Sequence, residues 1–184
     1  MAGSNQITRL AQSIEIEIDA GAGDNSIDII TVLYTDGSCV GRNGHRKAGW
    51  AVVDGSKGSM AESSRSWYGQ VPGAQTNNRG ELSALLYACK LGAQHGRCTI
   101  CTDSQYAIDC VKKYCPLWKR NGWVTVKGQP VKNRDLIEPL WDVVRDSSVV
   151  LRHVHAHAGN VLNERADMLA KHAAMSGNAT AAAL

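Results

Sequence analysis

Residues 29–38 read Ile29-Ile30-Thr31-Val32-Leu33-Tyr34-Thr35-Asp36-Gly37-Ser38, an apolar, β-branched run that ends at an acidic residue. The run is too short to span a membrane and too continuous for an edge strand, so it predicts a central strand. An isolated aspartate in this position usually caps the following turn. Residues 98–104 repeat the pattern as Cys98-Thr99-Ile100-Cys101-Thr102-Asp103-Ser104. Two such strands side by side would place Asp36 and Asp103 at one edge of a sheet.

Length and composition indicate a single folded domain. The chain has 184 residues, of which 43% are apolar, values typical of a globular protein. No segment has the apolar length of a membrane span, and the N-terminus lacks the basic-then-apolar order of a signal peptide. We therefore expect an intracellular, cytoplasmic protein without a membrane partner, and we also expect a monomer.

Charge is distributed unevenly along the chain. Residues 1–28 hold one arginine and five acidic residues, a net charge of −4. Because the whole chain has a net charge of +3, residues 29–184 carry +7. A basic body favours a polyanionic partner. Residues 13–19 alternate isoleucines with polar or acidic residues. This acidic N-terminal extension is therefore either an extra edge strand or a mobile leader.

The segments between the two aspartate-ending strands predict the topology of the sheet. Residues 48–53 and 60–71 resemble two strands in an antiparallel meander. A helical period then runs from Thr76 to about Gly96, with Thr76 or Asn77 as the N-cap. Because a crossover helix connects parallel strands, the strand ending at Asp103 should lie beside the central strand. The sheet direction switches at that central strand, where open α/β sheets bind ligands.

The remaining elements are predicted from periodicity and capping residues. They are a short helix over residues 104–113, a helix over 134–146 capped by Asn133, a strand over 149–155, and a final helix over 164–174 capped by Asn163. Residues 176–184 are rich in alanine, and we expect a flexible tail.

Residues 111–134 combine positive charge with aromatic rings. The segment holds seven cations and no acid; the cations are Lys112, Lys113, Lys119, Arg120, Lys127, Lys132 and Arg134. Tyr114, Trp118 and Trp123 are interleaved with them. Such a segment fits a surface that follows a phosphate backbone better than a solvated helix whose aromatic residues pack inward.

Four acids lie on the predicted strand ends and on two helices able to approach them: Asp36, Glu81, Asp103 and Asp167. Unpaired carboxylates at close range repel one another and become protonated unless a cation holds them. Oxygen ligands suit Mg²⁺ or Mn²⁺, and a pair of such ions is common in phosphodiester hydrolysis. The sequence therefore predicts a divalent-cation site.

Four blocks resemble, in order and spacing, the signature blocks of type 1 ribonucleases H. They are residues 34–38 (YTDGS), 76–82 (TNNRGEL), 102–106 (TDSQY), and 157–159 (HAG) with 163–167 (NERAD). The resemblance covers roughly residues 29–175, the expected catalytic domain, and includes a basic protrusion over 112–134. It implies an α/β, three-layer fold with helices on both faces of a five-stranded mixed sheet. Strands 1–3 would be antiparallel, and strands 4 and 5 would be parallel to strand 1.

The same resemblance implies endonucleolytic cleavage of the RNA strand in RNA–DNA hybrids. Asp36, Glu81, Asp103 and Asp167 would ligate two Mg²⁺ ions, with Mn²⁺ as a possible substitute. One ion would activate water and the other would stabilise the leaving 3′ oxygen, giving 5′-phosphate and 3′-hydroxyl ends. His157 resembles the mobile histidine of the family, which assists proton transfer or product release.

Contacts to the two strands of a hybrid are expected from two groups of residues. On the RNA strand, Asn77, Asn78, Gln105 and the backbone near Cys39 are suited to sensing a 2′-hydroxyl. On the DNA strand, Thr76 and Asn133 resemble the family's phosphate pocket, Tyr114 and Trp118 its deoxyribose channel, and residues 118–123, with Lys119 and Arg120, its basic protrusion.

The chain departs from the family pattern at two positions. Ala74 stands where some relatives supply an arginine to the DNA phosphate, so that contact is either weaker or comes from Arg79 or Lys132. Asn43 is shifted by one place in the turn after Asp36, which leaves its sugar contact open.

Several alternatives remain open at the level of sequence. The chain could be a retroelement-derived ribonuclease H domain, or a resolvase- or integrase-like DNA nuclease on the same fold. A hybrid-binding module without catalysis is disfavoured because all four acids are present. Two other metal sites are also disfavoured. His153, His155 and His157 alternate on one strand face, but the resemblance already gives His157 a role and His153 is expected to fill core space. Zinc binding by Cys98 and Cys101 is disfavoured because their side chains would point to opposite faces of a strand.

Overall fold

A computed structural model describes residues 31–42, 44–56, 65–156 and 159–176. The described strands are β1 (Thr31–Val40), β2 (Lys47–Asp54), β3 (Ser66–Gln70), β4 (Cys98–Thr102) and β5 (Val149–His153). The described helices are α1 (Asn77–Ala93), α2 (Gln105–Asp109), α3 (Cys115–Arg120), α4 (Arg134–Asp146) and α5 (Val161–Ser176), and a π-helical segment (Cys110–Tyr114) joins α2 to α3.

The five strands form one mixed sheet in the order β3-β2-β1-β4-β5. Strands β1, β2 and β3 are antiparallel, whereas β4 and β5 are parallel to β1. This arrangement confirms the predicted fold class and the central position of β1. Because Thr35 pairs with Thr102, Asp36 and Asp103 follow at the same edge of the sheet.

Helices cover both faces of the sheet. One core cluster includes Leu33 of β1 and packs against α1 and α4, through residues such as Leu82 and Leu140. The next residue of β1, Tyr34, belongs to a second cluster with Leu162 and Ala166 of α5. Successive side chains of a strand point to opposite faces, so the sheet is the middle layer of three.

The cysteines behave as core residues. Cys98 lies in the first cluster and Cys101 in the second, as expected for strand residues an odd number of positions apart. All six cysteines are free thiols, and five of them are buried. A zinc site at this pair is therefore excluded by the direction of its side chains.

Helix α1 approaches β1 closely because two glycines meet. A Cβ atom on Gly37 would lie 2.0 Å from the backbone nitrogen of Glu81. A Cβ atom on Gly80 would lie 3.1 Å from the Cα atom of Gly37. The absence of side chains at both positions therefore brings Glu81 of α1 next to the end of β1.

A continuous helical run replaces the short helix predicted over residues 104–113, and it extends to Arg120. In the π-helical segment, the backbone N–H of Cys115 donates to the carbonyl of Cys110, five residues earlier. Pro116 follows and has no N–H to donate. We attribute the wider turn to this proline, which the chain accommodates without ending the helix.

The start of α5 corrects another prediction. Helix α5 begins at Val161, and the side-chain oxygen of Asn160 accepts hydrogen bonds from the N–H groups of Leu162 and Asn163, both at 3.2 Å. Asn160 is thus the N-cap, as its position before the first helical residue favours. The prediction that Asn163 caps this helix was wrong, and its side chain has a different contact.

Some predictions concern residues outside the described ranges. These are the strand over residues 13–19, the flexible tail beyond 176, the first part of the strand over 60–71, and the roles of Asn43 and His157. Within the described ranges, no helix combines the length and apolarity that crossing a membrane requires.

Candidate active site

Three acidic side chains converge at the edge of the sheet. Asp36 lies near the end of β1, Asp103 directly follows β4, and Glu81 lies in the second turn of α1. One carboxylate oxygen of each lies within 4.8 Å of the other two. Asp36 is buried and the other two are half-buried. The structure thus brings together three of the four predicted acids from distant parts of the chain.

Burial and mutual repulsion raise the proton affinity of this cluster. The pKa of Asp36 is raised to about 7, chiefly by burial and then by the charges of Asp103 and Asp167. The pKa of Glu81 is raised to about 10 by burial and by the charges of Asp36 and Asp103. Without a bound cation, the cluster therefore retains protons at neutral pH.

Asp167 lies beside this cluster on α5. Its charge contributes to the raised pKa of Asp36, so the two carboxylates are close enough to repel each other. Its Oδ2 atom is 2.6 Å from the Nζ atom of Lys171, one helical turn further on. Among the described residues, the group with mutual distances within 4.8 Å does not include Asp167. The fourth predicted acid is therefore adjacent to the cluster but held by a lysine.

Asn163 contacts the cluster from α5, a role that was not predicted from the sequence. Its Nδ2 atom donates to Oδ2 of Asp103 at 3.1 Å. The side chain is only 3% exposed, and its Oδ1 atom has no protein partner. Because Asn163 precedes Asp167 by four residues, the helical period places both on one face. This spacing was visible in the sequence and is the signal that would have identified Asn163.

The residues present fit a divalent cation. The cluster offers carboxylate oxygens alone, which suits Mg²⁺ or Mn²⁺ better than a softer metal. The Oε2 atom of Glu81 is buried without a hydrogen-bond partner, and such an atom is costly unless an ion or a water molecule satisfies it. Asp36, Glu81 and Asp103 could hold one cation between them, and Asp167 could join them once its lysine moves.

The residues predicted to contact RNA lie on the same elements as the three acids or directly after them. Asn77 and Asn78 are exposed in the first turn of α1. The amide of exposed Gln105 donates to Asp109 at 2.8 Å. Cys39 is half-buried, and its thiol donates to the carbonyl of Gln75 at 3.3 Å. All four lie near the ends of the elements that supply Asp36, Glu81 and Asp103, and their contacts to RNA stay predictions.

Arg79 links the two predicted phosphate-pocket residues. Its backbone N–H donates to Oγ1 of Thr76 at 3.2 Å, which confirms Thr76 as the N-cap of α1. Its guanidinium donates to Oδ1 of Asn133 at 3.3 Å and forms a bidentate ion pair with Asp135. This charge is therefore already neutralised, so Arg79 is a poor substitute for the arginine missing at position 74.

Asn133 lies where the sequence places the N-cap of α4, but its side chain makes no capping bond there. Its backbone has a left-handed conformation with φ of 59°, which asparagine tolerates better than most residues. Its carbonyl accepts from the N–H groups of Leu136 and Ile137, both at 3.0 Å. The side chain is thus left to contact Arg79.

Aromatic rings form a row along the helical run and the turn after it. The ring centroids of Tyr114 and Trp118 are 5.4 Å apart, and those of Trp118 and Trp123 are 6.5 Å apart. The guanidinium of Arg134 lies over Trp123 at 4.8 Å. Tyr114 is exposed, Trp118 is partly buried and Trp123 is buried in the core. Of the three rings, those of Tyr114 and Trp118 can therefore pack against sugars or bases of a nucleic acid.

The basic protrusion is less uniformly positive than its sequence suggests. The Nζ atom of Lys119 lies 3.5 Å from Asp142, 3.9 Å from Glu138 and 4.5 Å from the ring centroid of Trp141. The acids missing from residues 111–134 are therefore supplied by α4. Arg120 is exposed and has no ion pair with a described residue. Of the two cations, Lys119 is therefore the one whose charge is balanced by described acids, and the phosphate contacts predicted for both stay predictions.

The histidines on and after β5 do not fill the core. His153 is exposed, contrary to expectation, and its Nε2 atom is 3.1 Å from the carbonyl oxygen of Asp103. The ring centroids of His153 and His155 are 5.8 Å apart. Alternate residues of an edge strand need not face the core when a neighbouring loop leaves them open to solvent. His153 instead contacts the loop that carries Asp103.

Comparison with known proteins agrees with this geometry. The sequence profile of the RNase H family matches residues 29–175. The chain is 41% identical to Ribonuclease H of Nitratidesulfovibrio vulgaris over 140 residues, which cover 76% of the chain and 85% of that protein. It is 42% identical to Ribonuclease H of Neisseria gonorrhoeae over 151 residues, which cover 80% and 97%.

Solved structures show the same fold. LC9-RNase H1, described as a type 1 RNase H with the type 2 active-site motif, superposes with a TM-score of 0.64 at 27% identity, covering 82% of this chain and 74% of its own. The RNase H domain of prototype foamy virus superposes with a TM-score of 0.60 at 25% identity, covering 80% and 93%. Sequence match, fold and clustered acids together show that the chain belongs to the ribonuclease H family and is a nuclease.

Proposed function

We propose that the protein is an endonuclease that hydrolyses the RNA strand of RNA–DNA hybrids. The observation that carries the proposal is the convergence of Asp36, Glu81 and Asp103 within 4.8 Å of one another. This cluster lies where the parallel pairing of β1 and β4 ends, on the side of the carboxyl ends at which α/β sheets bind their ligands. Family membership supports the reaction, and one solved structural neighbour contains an RNA/DNA hybrid.

The four acids are proposed as the cation ligands. Asp36, Glu81 and Asp103 would hold one cation between them, and Asp167 would help to hold the second cation. When bound there, two divalent cations would supply the Lewis-acid chemistry of in-line phosphodiester hydrolysis, which leaves 5′-phosphate and 3′-hydroxyl ends. His157 is proposed to assist proton transfer or product release.

Strand discrimination is proposed to come from the two sides of the site. Polar groups near the acids, at Asn77, Asn78 and Gln105, would hydrogen-bond to 2′-hydroxyls of the RNA strand. The rings of Tyr114 and Trp118, whose centroids are 5.4 Å apart, would pack against deoxyribose on the DNA strand, where a 2′-hydroxyl has no room. Thr76 and Asn133, joined through Arg79, would bind a phosphate of the DNA strand.

The test is a cleavage assay on end-labelled substrates with Mg²⁺ or Mn²⁺. We expect an RNA–DNA hybrid to be cut in its RNA strand, and duplex DNA and duplex RNA to remain whole. The variant Asp103→Asn should lose cleavage by at least about a hundredfold and should still bind the hybrid. Cleavage of duplex DNA would instead support the alternative of a resolvase- or integrase-like nuclease. An intact hybrid with both cations would refute the proposal.

A further inference from the structure

One salt bridge among the described residues joins a basic side chain to the four acids, and it is the pair formed by Lys171 and Asp167. The Nζ atom of Lys171 lies 2.6 Å from Oδ2 of Asp167. The side chain of Lys171 is 47% exposed and that of Asp167 is 23% exposed. No ion pair of the described residues joins a lysine or arginine to Asp36, Glu81 or Asp103.

Three functional side chains share one face of α5. Asn163, Asp167 and Lys171 are spaced four residues apart, which places them in a row along the helix. Asn163 contacts Asp103, and the charge of Asp167 acts on Asp36. Lys171 therefore follows the end of the row that lies against the acidic cluster.

The backbone of α5 is fixed against the sheet near Lys171. A Cβ atom on Gly49 of β2 would lie 2.3 Å from the carbonyl oxygen of Ala170 and 2.5 Å from the nitrogen of Ala174. A helix packed this closely against β2 has no room to move nearer to the sheet. A change in the partner of Asp167 must therefore come from side-chain rotation, and the exposed chain of Lys171 is free to rotate into solvent.

We propose that Lys171 is a built-in counter-charge for Asp167: its ammonium group neutralises this carboxylate in the cation-free protein and is displaced when a divalent cation binds. This inference rests on the proposed function, because it assigns Asp167 as a cation ligand. An ammonium group and a divalent cation cannot both lie against the same carboxylate oxygen without repelling each other. Lys171 thus weakens cation binding at Asp167 and relieves repulsion among the acids while the cation is absent.

The test is calorimetric titration of the purified protein with Mn²⁺ and with Mg²⁺, without nucleic acid. We expect Lys171→Gln to tighten the weakest resolved binding event by about three- to tenfold, the size expected for removing one positive charge near a divalent ion. Lys171→Arg keeps the charge and should bind cations as the wild type does. The control is Lys113→Gln, which removes a comparable i,i+4 pair with Asp109 on α2 and should leave the affinity unchanged.

Thermal melting gives a second readout. In EDTA, Lys171→Gln should melt at a lower temperature than the wild type, and saturating Mn²⁺ should raise its melting temperature by a larger increment. Equal or weaker cation binding by Lys171→Gln would overturn the inference while leaving the proposed function standing. If the wild type binds neither cation, the proposed metal site itself fails, so the two failures are distinguishable.

Discussion

At the scale of single residues, Asn163 shows how a neutral side chain can support an acidic site. Its amide donates to one oxygen of Asp103, which fixes the carboxylate plane and leaves the other oxygen for a cation. The unpartnered Oδ1 atom of Asn163 is available to a cation-bound water. The residue is therefore a positioning group for Asp103.

We expect Asn163→Ala to lower cation affinity by about tenfold, because a supporting hydrogen bond to a metal ligand is lost. Calorimetric titration with Mn²⁺ measures this change. Asn160→Ala is the matched control: it removes the N-cap of the same helix, which should cost about 1 kcal/mol of stability without altering cation affinity. Equal affinities in both variants and the wild type would show that Asn163 has no role at the site.

At the scale of elements, the contact between α1 and β1 determines where Glu81 lies. A methyl group at Gly80 would meet the carbonyl oxygen of Gly49 at 2.8 Å and the Cα atom of Gly37 at 3.1 Å. Both neighbours are backbone atoms of the sheet, which cannot move independently of it. The helix would have to retreat, and Glu81 would retreat with it.

Gly80→Ala should therefore reduce the free energy of unfolding by about 1–2 kcal/mol, because overpacking outweighs the better helix propensity of alanine. Urea denaturation measures this loss. Lys90→Ala, an exposed substitution in the same helix, is the control and should change stability by less than about 0.5 kcal/mol. An increase in stability for Gly80→Ala would contradict the close contact.

Lys119 and Arg120 in the basic protrusion, residues 112–134, are expected to have different roles. Lys119 contacts two acids and Trp141 of α4, so it stabilises the protein. We expect Lys119→Ala to cost about 0.5–1 kcal/mol of stability.

Arg120→Ala should instead weaken hybrid binding and lower the slope of log affinity against log salt by about one. Hybrid binding measured by fluorescence at several salt concentrations tests the Arg120 prediction. The different roles of the two residues would be refuted if Lys119→Ala weakened binding and Arg120→Ala lowered stability instead.

At the scale of the whole molecule, the acids link folding to pH. The folded pKa of Asp36 is about 7, above its ordinary value of 3.8, so the folded state binds this proton more tightly than the unfolded state. In the absence of cations, its contribution to stability is therefore lost as pH rises from about 4 to about 7. The raised pKa of Glu81 extends this loss toward pH 10.

Asp36→Asn should consequently be more stable than the wild type in EDTA at pH 8, by about 1–3 kcal/mol. The difference should shrink toward pH 4, where the carboxyl is protonated in the folded state and, with its ordinary pKa of 3.8, begins to be protonated in the unfolded state as well. Thermal melting across this range measures it, and Mn²⁺ should reduce the advantage by stabilising the wild type. A variant less stable than the wild type at pH 8 in EDTA would show that Asp36 is not under charge repulsion.

The sequence by itself predicted the central strand, the parallel strand beside it and the aspartates that follow their pairing, all of which the structure contains. Apolar runs that end at Asp36 and Asp103, together with the crossover helix between them, require adjacent parallel strands. The parallel pairing of those strands stops at Thr35 and Thr102, directly before both aspartates. The strand predicted to end at Asp36 was drawn too short, because β1 continues beside β2 to Val40. The helical period from Thr76 carries Glu81 on its polar side. These conclusions depend on local periodicity and on the handedness of connections, which the chain itself encodes.

Only the tertiary structure decided which partner each polar side chain takes. Asn163 contacts Asp103 across 60 residues, Arg79 contacts Asp135 across 56, and Lys119 contacts Asp142 across 23. Sequence patterns report neighbours three or four positions away, whereas these pairs depend on how closely helices pack against the sheet. That packing is set by the absence of side chains at glycines such as Gly37, and it converts predicted acids into one acidic cluster.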